Sequence, residues 1–465
     1  MTMVEELATF VAKTRFEELS RAAREQLQIR VLDALGCALG ALRSDPVGRV
    51  RDYVTEWAAD GPVTLIGGGY AAPDRAVLLN GTLVRYLDFN DSYLAPDETC
   101  HPSDNLAAVL AAAELANANG PTFLTALATA YQVQCRLGDV APVRDHGFDH
   151  TTHLAYSAAA GAARALGLDA ERTADAIAIS GAALNALRVT RTGTLSHWKG
   201  LAAPFTASCA TQAVLLARHG ITGPRAVFEG NKGFMQSIAG TFHIDWRSEA
   251  LDRVQRTIVK RYNAEIHSQT VIQAALDLRS NHRFMADQIA RVEIDIFDVA
   301  YRIIGGGEEG EKTTVVTKED ADHSLPYLVA VALLDGTVMP AQYDPDRIHR
   351  KDVQTLLARV SVRPSEAYSR RFPEEMVCRV AIKLADGRMF AEELSDYPGF
   401  RTRPMSWDDA TKKFVALGSV STAPELLERI VVAVRDLEHL TNITKLTRLL
   451  ADAGTSQARA LLAVA

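Results

Sequence analysis

The sequence predicts a mainly α protein, in which a large all-helical domain built from N- and C-terminal parts is interrupted by a smaller α+β lid domain. Three observations predict it. Alanine-rich segments with helical spacing follow one another from Phe16 to Arg218. After about residue 285 the pattern turns to period two, as in Ile289 to Phe297, which suits a half-buried strand. After Trp407 helical spacing returns and runs to an apolar end, Leu449 to Ala465. The expected division is 1–270 and 405–465 for the helical domain and 271–404 for the lid. A chain of 465 residues is long enough for two cores, since one rarely grows past about 250–300 residues.

From Phe16 to Leu42, apolar residues Leu27, Val31, Leu32 and Leu35 recur at helical spacing. The segment ends in Gly36, Ala38 and Gly40, small enough for close helix packing. Arg49 to Trp57 repeats the pattern. Val63 to Ile66 is a short β-like run into Gly67-Gly68-Gly69. No Gly-Lys-Ser/Thr follows the glycines, so a tight turn is expected rather than a phosphate loop. Pro73 opens a helix through Arg85. Ala107 to Ala118, Phe123 to Leu137, Leu154 to Gly167, Ala170 to Ala186 and Ala202 to Arg218 continue as helices, whose alanine density implies short interhelical distances. In the lid, Tyr327 to Leu334 and Lys351 to Val360 read as helices and Ser361 to Arg363 as a short edge strand. Val377 to Leu394 reads as a hairpin about Ala385-Asp386-Gly387-Arg388, because Asp-Gly between alternating runs is a strong turn signal.

The net charge of −7 argues against nucleic acid as a partner, which demands excess Lys and Arg. No run of about 18 uncharged apolar residues is present, so no membrane partner is expected. The segment Met1 to Arg15 is amphipathic and acidic at Glu5 and Glu6, unlike a secretory signal. The five cysteines are scattered in apolar segments, as reduced core residues of a cytoplasmic protein would be, and offer no Cys-x-x-Cys pair for an iron–sulfur cluster.

Polar residues interrupt this apolar chain at five places. Tyr86 to Asn105 carries five acids, Cys100 and His101 between two buried helices; it is either an elaborate pair of helix caps, with Pro102 at a first turn, or a site. Asp145 to His153 holds three histidines whose spacing is weak for zinc. His150 beside Asp149 could be a carboxylate-oriented imidazole, and His153 a helix cap. Lys199 precedes an apolar helix, where an anion would gain from the ammonium and the free backbone N–H groups; the alternative is a lysine snorkelling to solvent. Lys260 to Thr270 packs two cations, Glu265 and His267 together near the expected domain junction, a preferred place for ligands. Asp322-His323-Ser324 is a polar lead-in to a helix. Glu308 to Lys312 reads as a solvated charged loop. Carboxylates, imidazoles and isolated cations without a metal cage suit proton abstraction beside a carboxylate, with cations holding a multiply carboxylated small molecule.

These stretches resemble the MmgE/PrpD family of 2-methylcitrate dehydratases, cis-aconitate decarboxylases and iminodisuccinate epimerases. The likeness is carried by Tyr86-Leu-Asp-Phe-Asn-Asp-Ser with Cys100-His-Pro-Ser, by Gly147-Phe-Asp-His, and by His197-Trp-Lys-Gly-Leu-Ala-Ala-Pro. It continues in Lys260-Arg-Tyr-Asn-Ala-Glu-Ile-His-Ser-Gln-Thr and in Asp322-His-Ser-Leu-Pro-Tyr. The resemblance implies a helical domain with an α+β lid, a homodimer, and no metal or organic cofactor. It implies Asp88, His101, His150 and Lys199 as catalytic groups, His101 leading, and Ser92, Lys260, Glu265, His267, Tyr301 and Arg302 as substrate-binding. Glu265, where the decarboxylases usually have histidine, points to the dehydratase branch, a cofactor-independent hydro-lyase acting on 2-methylcitrate or a close tricarboxylate. Asn90 stands where the family commonly has aspartate, and Pro96 to Thr99 is an unusually charged insert. The alternatives are a decarboxylase or epimerase of the same family, and a non-catalytic helical binding protein whose polar clusters are only caps and ion pairs.

Overall fold

The alanine-rich segments fold as helices in a computed structural model that describes residues 1–56, 61–193 and 195–454. The expectations for Trp57 and for residues 455–465 lie outside the described residues. Two units emerge from the contacts. The first comprises Met1–Thr190, Gly200–Thr257 and Met405–Ala465, the second Arg191–Lys199 and Ile258–Pro404.

In the first unit the helices Leu106–Leu115, Gly120–Val140, Thr151–Ala165 and Ala170–Ala183 pack side by side. Their alanines leave little beyond backbone between axes, and at Gly161 nothing more fits. A Cβ there would lie 2.7 Å from Val109 Cγ2 and 2.8 Å from the Ala130 Cβ. Ser20 caps the long helix Arg21–Gly40 by accepting from the Ala23 N–H, which satisfies one of the free donors of the first turn. Its Gly36 and Gly40 meet Phe414 and Leu417 of the helix Trp407–Gly418, so the small residues read from the sequence do admit a close neighbour. Lys413 on that helix is buried. Its ammonium reaches Asp33 at 2.6 Å and the Phe89 carbonyl at 2.8 Å, and lies over the Phe89 ring.

Strands β1 (Val63–Thr64) and β2 (Tyr70–Ala71) pair antiparallel around Gly67-Gly68-Gly69. All three glycines have positive φ, so the triplet is the expected turn. Strands β3 (Tyr93–Leu94) and β4 (Thr99–Cys100) form a second small hairpin within the polar segment from Tyr86 to Asn105. The helix Trp198–Arg218 is, among the described residues, long and apolar enough by composition to cross a membrane. Of its most apolar window 61% is buried within the protein, as in a core helix.

The second unit is built on a four-stranded sheet of β5 (Ile289–Ile296), β6 (Val360–Pro364), β7 (Cys378–Leu384) and β8 (Met389–Leu394), in the order β6-β5-β7-β8. The edge strand β6 runs parallel to β5 and the other pairs are antiparallel. The β7–β8 hairpin turns at Asp386-Gly387, with Gly387 at φ 92°, as its sequence demands. Helices Leu325–Asp335 and Gln269–His282 accompany the sheet. Besides Arg191–Lys199, expected in the helical domain, this unit takes up the chain at Ile258, ahead of residue 271, because main-chain bonds tie the polar segment into it. Val259 donates to Gly399, Asn263 to Val338 and Glu265 to Asp322.

Gly161→Ala should lower stability by about 1–3 kcal/mol, the usual cost of overpacking. Gly138→Ala, where no atom lies within 4 Å of the added methyl, should be neutral or mildly stabilising in its helix. Denaturant midpoints of the two variants against the parent measure the contrast.

Candidate active site

The focal loop of the first unit is organised by Arg85, near the end of the helix Pro73–Tyr86. Arg85 is buried, and a buried guanidinium must be paired. Its Nη1 donates to Asp88 Oδ1 at 2.6 Å, and its Nε lies 3.7 Å from Asp104 Oδ2. Burial alone would depress its pKa, but Asp88, Asp104 and Asp149 outweigh it and hold the guanidinium above its ordinary range. Asp88 takes φ 53°, a left-handed conformation that aspartate tolerates better than most residues. Asn90 donates to Ser103 Oγ at 2.9 Å and to Asp104 Oδ1 at 3.0 Å, where an aspartate would set two carboxylates together. Asp91 accepts from the Ser103 N–H and from the Tyr131 hydroxyl, so it is a brace within the loop.

These braces fix His101, 7% exposed. Its Nδ1 lies 2.8 Å from the Asp91 carbonyl and 3.0 Å from Ser92 Oγ. A carbonyl can only accept, so Nδ1 carries the proton and Nε2 is the nitrogen that exchanges one. The ring of His150 stands edge-on, 5.2 Å away between centroids, with its Nδ1 3.5 Å from Asp149 Oδ1. The three neighbouring histidines have three different surroundings. His146 Nδ1 bonds the Ile238 carbonyl, and His153 Nε2 donates to the Ala141 carbonyl at 2.7 Å. Burial pushes His153 down to about 4, so it is a neutral core residue inside the helix Thr151–Ala165 rather than a cap. Glu98, from the charged insert, is also buried. It accepts from the N–H groups of Thr99, Val143 and Arg144, yet burial pushes its carboxyl up to about 7.

The second unit gathers the other predicted groups. Lys199, in the first turn of Trp198–Arg218, is 4% exposed and donates to Asp322 Oδ1 at 2.7 Å, so it does not snorkel. Lys318 donates to Asp322 Oδ2 at 2.6 Å, and His323 Nδ1 lies 2.7 Å from Oδ1. Burial would raise the Asp322 carboxyl, but Lys199, Lys318 and His323 together hold it far below the usual carboxylate range. Lys260 is fully buried. Glu265 spends both carboxylate oxygens on His267, one on its N–H and one on its Nδ1, each at 2.7 Å. The His267 ring contacts Phe297 and Phe372, each 5.7 Å away between centroids, and its buried Nε2 has no hydrogen-bond partner. Gln269 holds the preceding loop by accepting from the N–H groups of Arg261 and Tyr262.

In the helical unit the structure thus brings together Asp88, Ser92, His101 and His150. In the α+β unit it places Lys199 on Asp322 and Glu265 on His267. Glu265 orients His267 rather than presenting an open carboxylate. Tyr301 is half-buried, and Arg302 is exposed and paired with Asp298 at 2.7 Å. Sequence reasoning noticed Asp322-His323 but did not choose them; a charged pair immediately before the apolar run Leu325–Leu333 was the available signal. Lys312, expected on a solvated loop, is instead half-buried, and burial lowers its ammonium despite Glu309, Asp320, Glu265 and Asp322.

The helical unit thus buries His101 and His150 among carboxylates, and the α+β unit buries Lys199 against Asp322. Family models match across most of the chain: the MmgE/PrpD N-terminal domain over residues 5–247 and the MmgE/PrpD C-terminal domain over residues 262–439. The chain belongs to the MmgE/PrpD family. It is 28% identical to the 2-methylcitrate dehydratase of Escherichia coli (strain K12) over 417 residues, 82% of this chain and 83% of that protein. It is 27% identical to the mitochondrial 2-methylcitrate dehydratase of Yarrowia lipolytica, over 86% of this chain and 80% of that one. It is 26% identical to the cis-aconitate decarboxylase of Mus musculus, over 97% of this chain and 93% of that one. Both named activities are those of lyases, and the chain is an enzyme of that class.

Glu98 supplies a pH signature for the helical unit. Its raised carboxyl binds a proton in the folded state that the unfolded chain releases at the ordinary value. The associated stability is therefore present below that value and lost as pH rises through about 7. The loss should be on the order of 3 kcal/mol by linkage. Glu98→Gln should flatten the fall in melting temperature between pH 5 and 8, which calorimetry at a series of pH values measures.

Proposed function

We propose that the chain is a hydro-lyase that dehydrates 2-methylcitrate, or a close tricarboxylate, to the corresponding aconitate by general acid–base elimination without a cofactor. The observation that carries this reading is the His101 tautomer: with Nδ1–H committed to the Asp91 carbonyl, Nε2 is a base inside a buried polar loop. Nε2 takes the proton α to a substrate carboxylate. Asp88 is committed to Arg85, from which it accepts at 2.6 Å. His150 is then the acid that protonates the departing hydroxyl, oriented by Asp149. Lys199 and Lys260 are the cations suited to hold carboxylates and to stabilise the enediolate-like charge left when the proton departs. The dehydratase names of two of the relatives support the substrate class.

The mouse relative, matched over nearly the whole chain, supports a second reading on the same groups, decarboxylation of cis-aconitate.

His101→Ala should lower kcat/KM by about 10²–10⁴-fold while leaving the fold intact by circular dichroism, the range expected for removing a general base. Proton NMR of chelator-treated enzyme with 2-methylcitrate, citrate, cis-aconitate and an iminodisuccinate reads the reaction. Water loss from 2-methylcitrate that survives the chelator is expected. Itaconate as the product would move the function to the second reading, and near-normal turnover by His101→Ala would overturn the base assignment.

A further inference from the structure

We propose that Asp322 is the positioning residue of the α+β unit, which keeps Lys199 an ammonium ion and aims it at a substrate carboxylate. The inference rests on the proposed lyase reading, in which Lys199 meets the substrate, but its physical core does not need turnover. Lys199 is buried, and a lysine taken out of water tends to lose its charge. A neutral amine would neither hold a carboxylate nor stabilise an enediolate. Asp322 Oδ1 at 2.7 Å reverses that tendency, and Oδ2 is simultaneously engaged by Lys318 at 2.6 Å. Asp322 is thus shared by the two lysines, one on each carboxylate oxygen.

The third member sets the direction. His323 Nδ1 lies 2.7 Å from Asp322 Oδ1 and 2.8 Å from Lys199 Nζ. One ring nitrogen has one role at a time. Protonated, it donates to Asp322; unprotonated, it accepts from Lys199. In both cases Asp322 Oδ1 is the fixed point, and Lys199 also donates to the Glu319 carbonyl at 3.4 Å. The other charges of this unit are of mixed sign. Lys312 feels Glu309, Asp320, Glu265 and Asp322, while Glu265 feels His267, His323 and Lys260. Removing the Asp322 charge therefore takes from Lys199 the carboxylate that it contacts at 2.7 Å.

The test uses full-length protein with 13Cε-labelled lysine, the Lys199 signal being assigned by its absence in Lys199→Arg. In the parent, Lys199 should stay protonated above the ordinary lysine value of about 10.4. In Asp322→Asn it should titrate at least about one pH unit lower, a tenfold shift in its acid constant. The alkaline limb of kcat/KM should move down with it, KM should rise more than kcat falls, and Asp322→Glu should restore part of both. A purely structural Asp322 would lower activity without moving either titration. The inference is overturned if Lys199 of the parent titrates at or below the ordinary value, a result that needs no folded variant. It is also overturned if Asp322→Asn leaves the Lys199 titration in place. A parent enzyme silent on the whole carboxylate panel would instead sink the lyase substrate reading, while the NMR titration still decides the role of Asp322.

Discussion

The buried guanidinium of Arg85 is the interaction on which the helical unit's polar loop depends. An alanine-rich core offers no water to a charge, so Arg85 is tolerable only with carboxylates against it, and removing one partner of such a buried pair costs about 3–5 kcal/mol. Asp88 and Asp104 are those partners. Satisfying them pins both ends of the loop: Asp88 just past the helix, in a left-handed conformation, and Asp104 in the turn Pro102–Asn105 that leads into the next helix. His101 lies between the two pinned points, and its proton is placed by the carbonyl of Asp91, whose carboxylate is itself held from two sides. The His101 imidazole is thus oriented by backbone that the ion pair has already fixed.

The α+β unit solves the opposite problem. There the buried carboxylate of Asp322 collects Lys199, Lys318 and His323. Glu265 and His267 repeat the logic on a smaller scale, a carboxylate consumed in orienting an imidazole. Buried charge in the helical unit locks a conformation, whereas in the α+β unit it maintains a protonation state. Acid–base lyase chemistry on a carboxylated substrate draws on both, a base of defined tautomer and cations that remain charged out of water.

Much of the candidate site was legible because polar residues are conspicuous in an apolar chain. Asp88, His101, His150, Lys199, Lys260 and His267 all stand out against alanine and leucine, and all are buried. What was not legible was partnership. Nothing near Lys199 in the sequence names Asp322, more than a hundred residues on, and nothing at Asp91 shows that its carbonyl, not its carboxylate, meets His101. Arg302 looked equivalent to the lysines by charge, yet an aspartate four residues before it draws it to the surface. Glu265 looked like a substrate contact by type, and its nearest neighbours in the chain claim it instead.

The sequence by itself determined the elements and their kind. Helical spacing, small residues at contacts, the Asp-Gly turn and the period-two strand depend on interactions within a few residues, and these are written consecutively. Protonation and orientation were decided only in three dimensions: that Glu98 is pushed up to about 7, that His153 is a neutral core residue, and that the Asp322 carboxyl is held far below its usual range. A pKa is set by burial and by charges within a few ångströms, and in this chain those charges come from residues far apart in sequence.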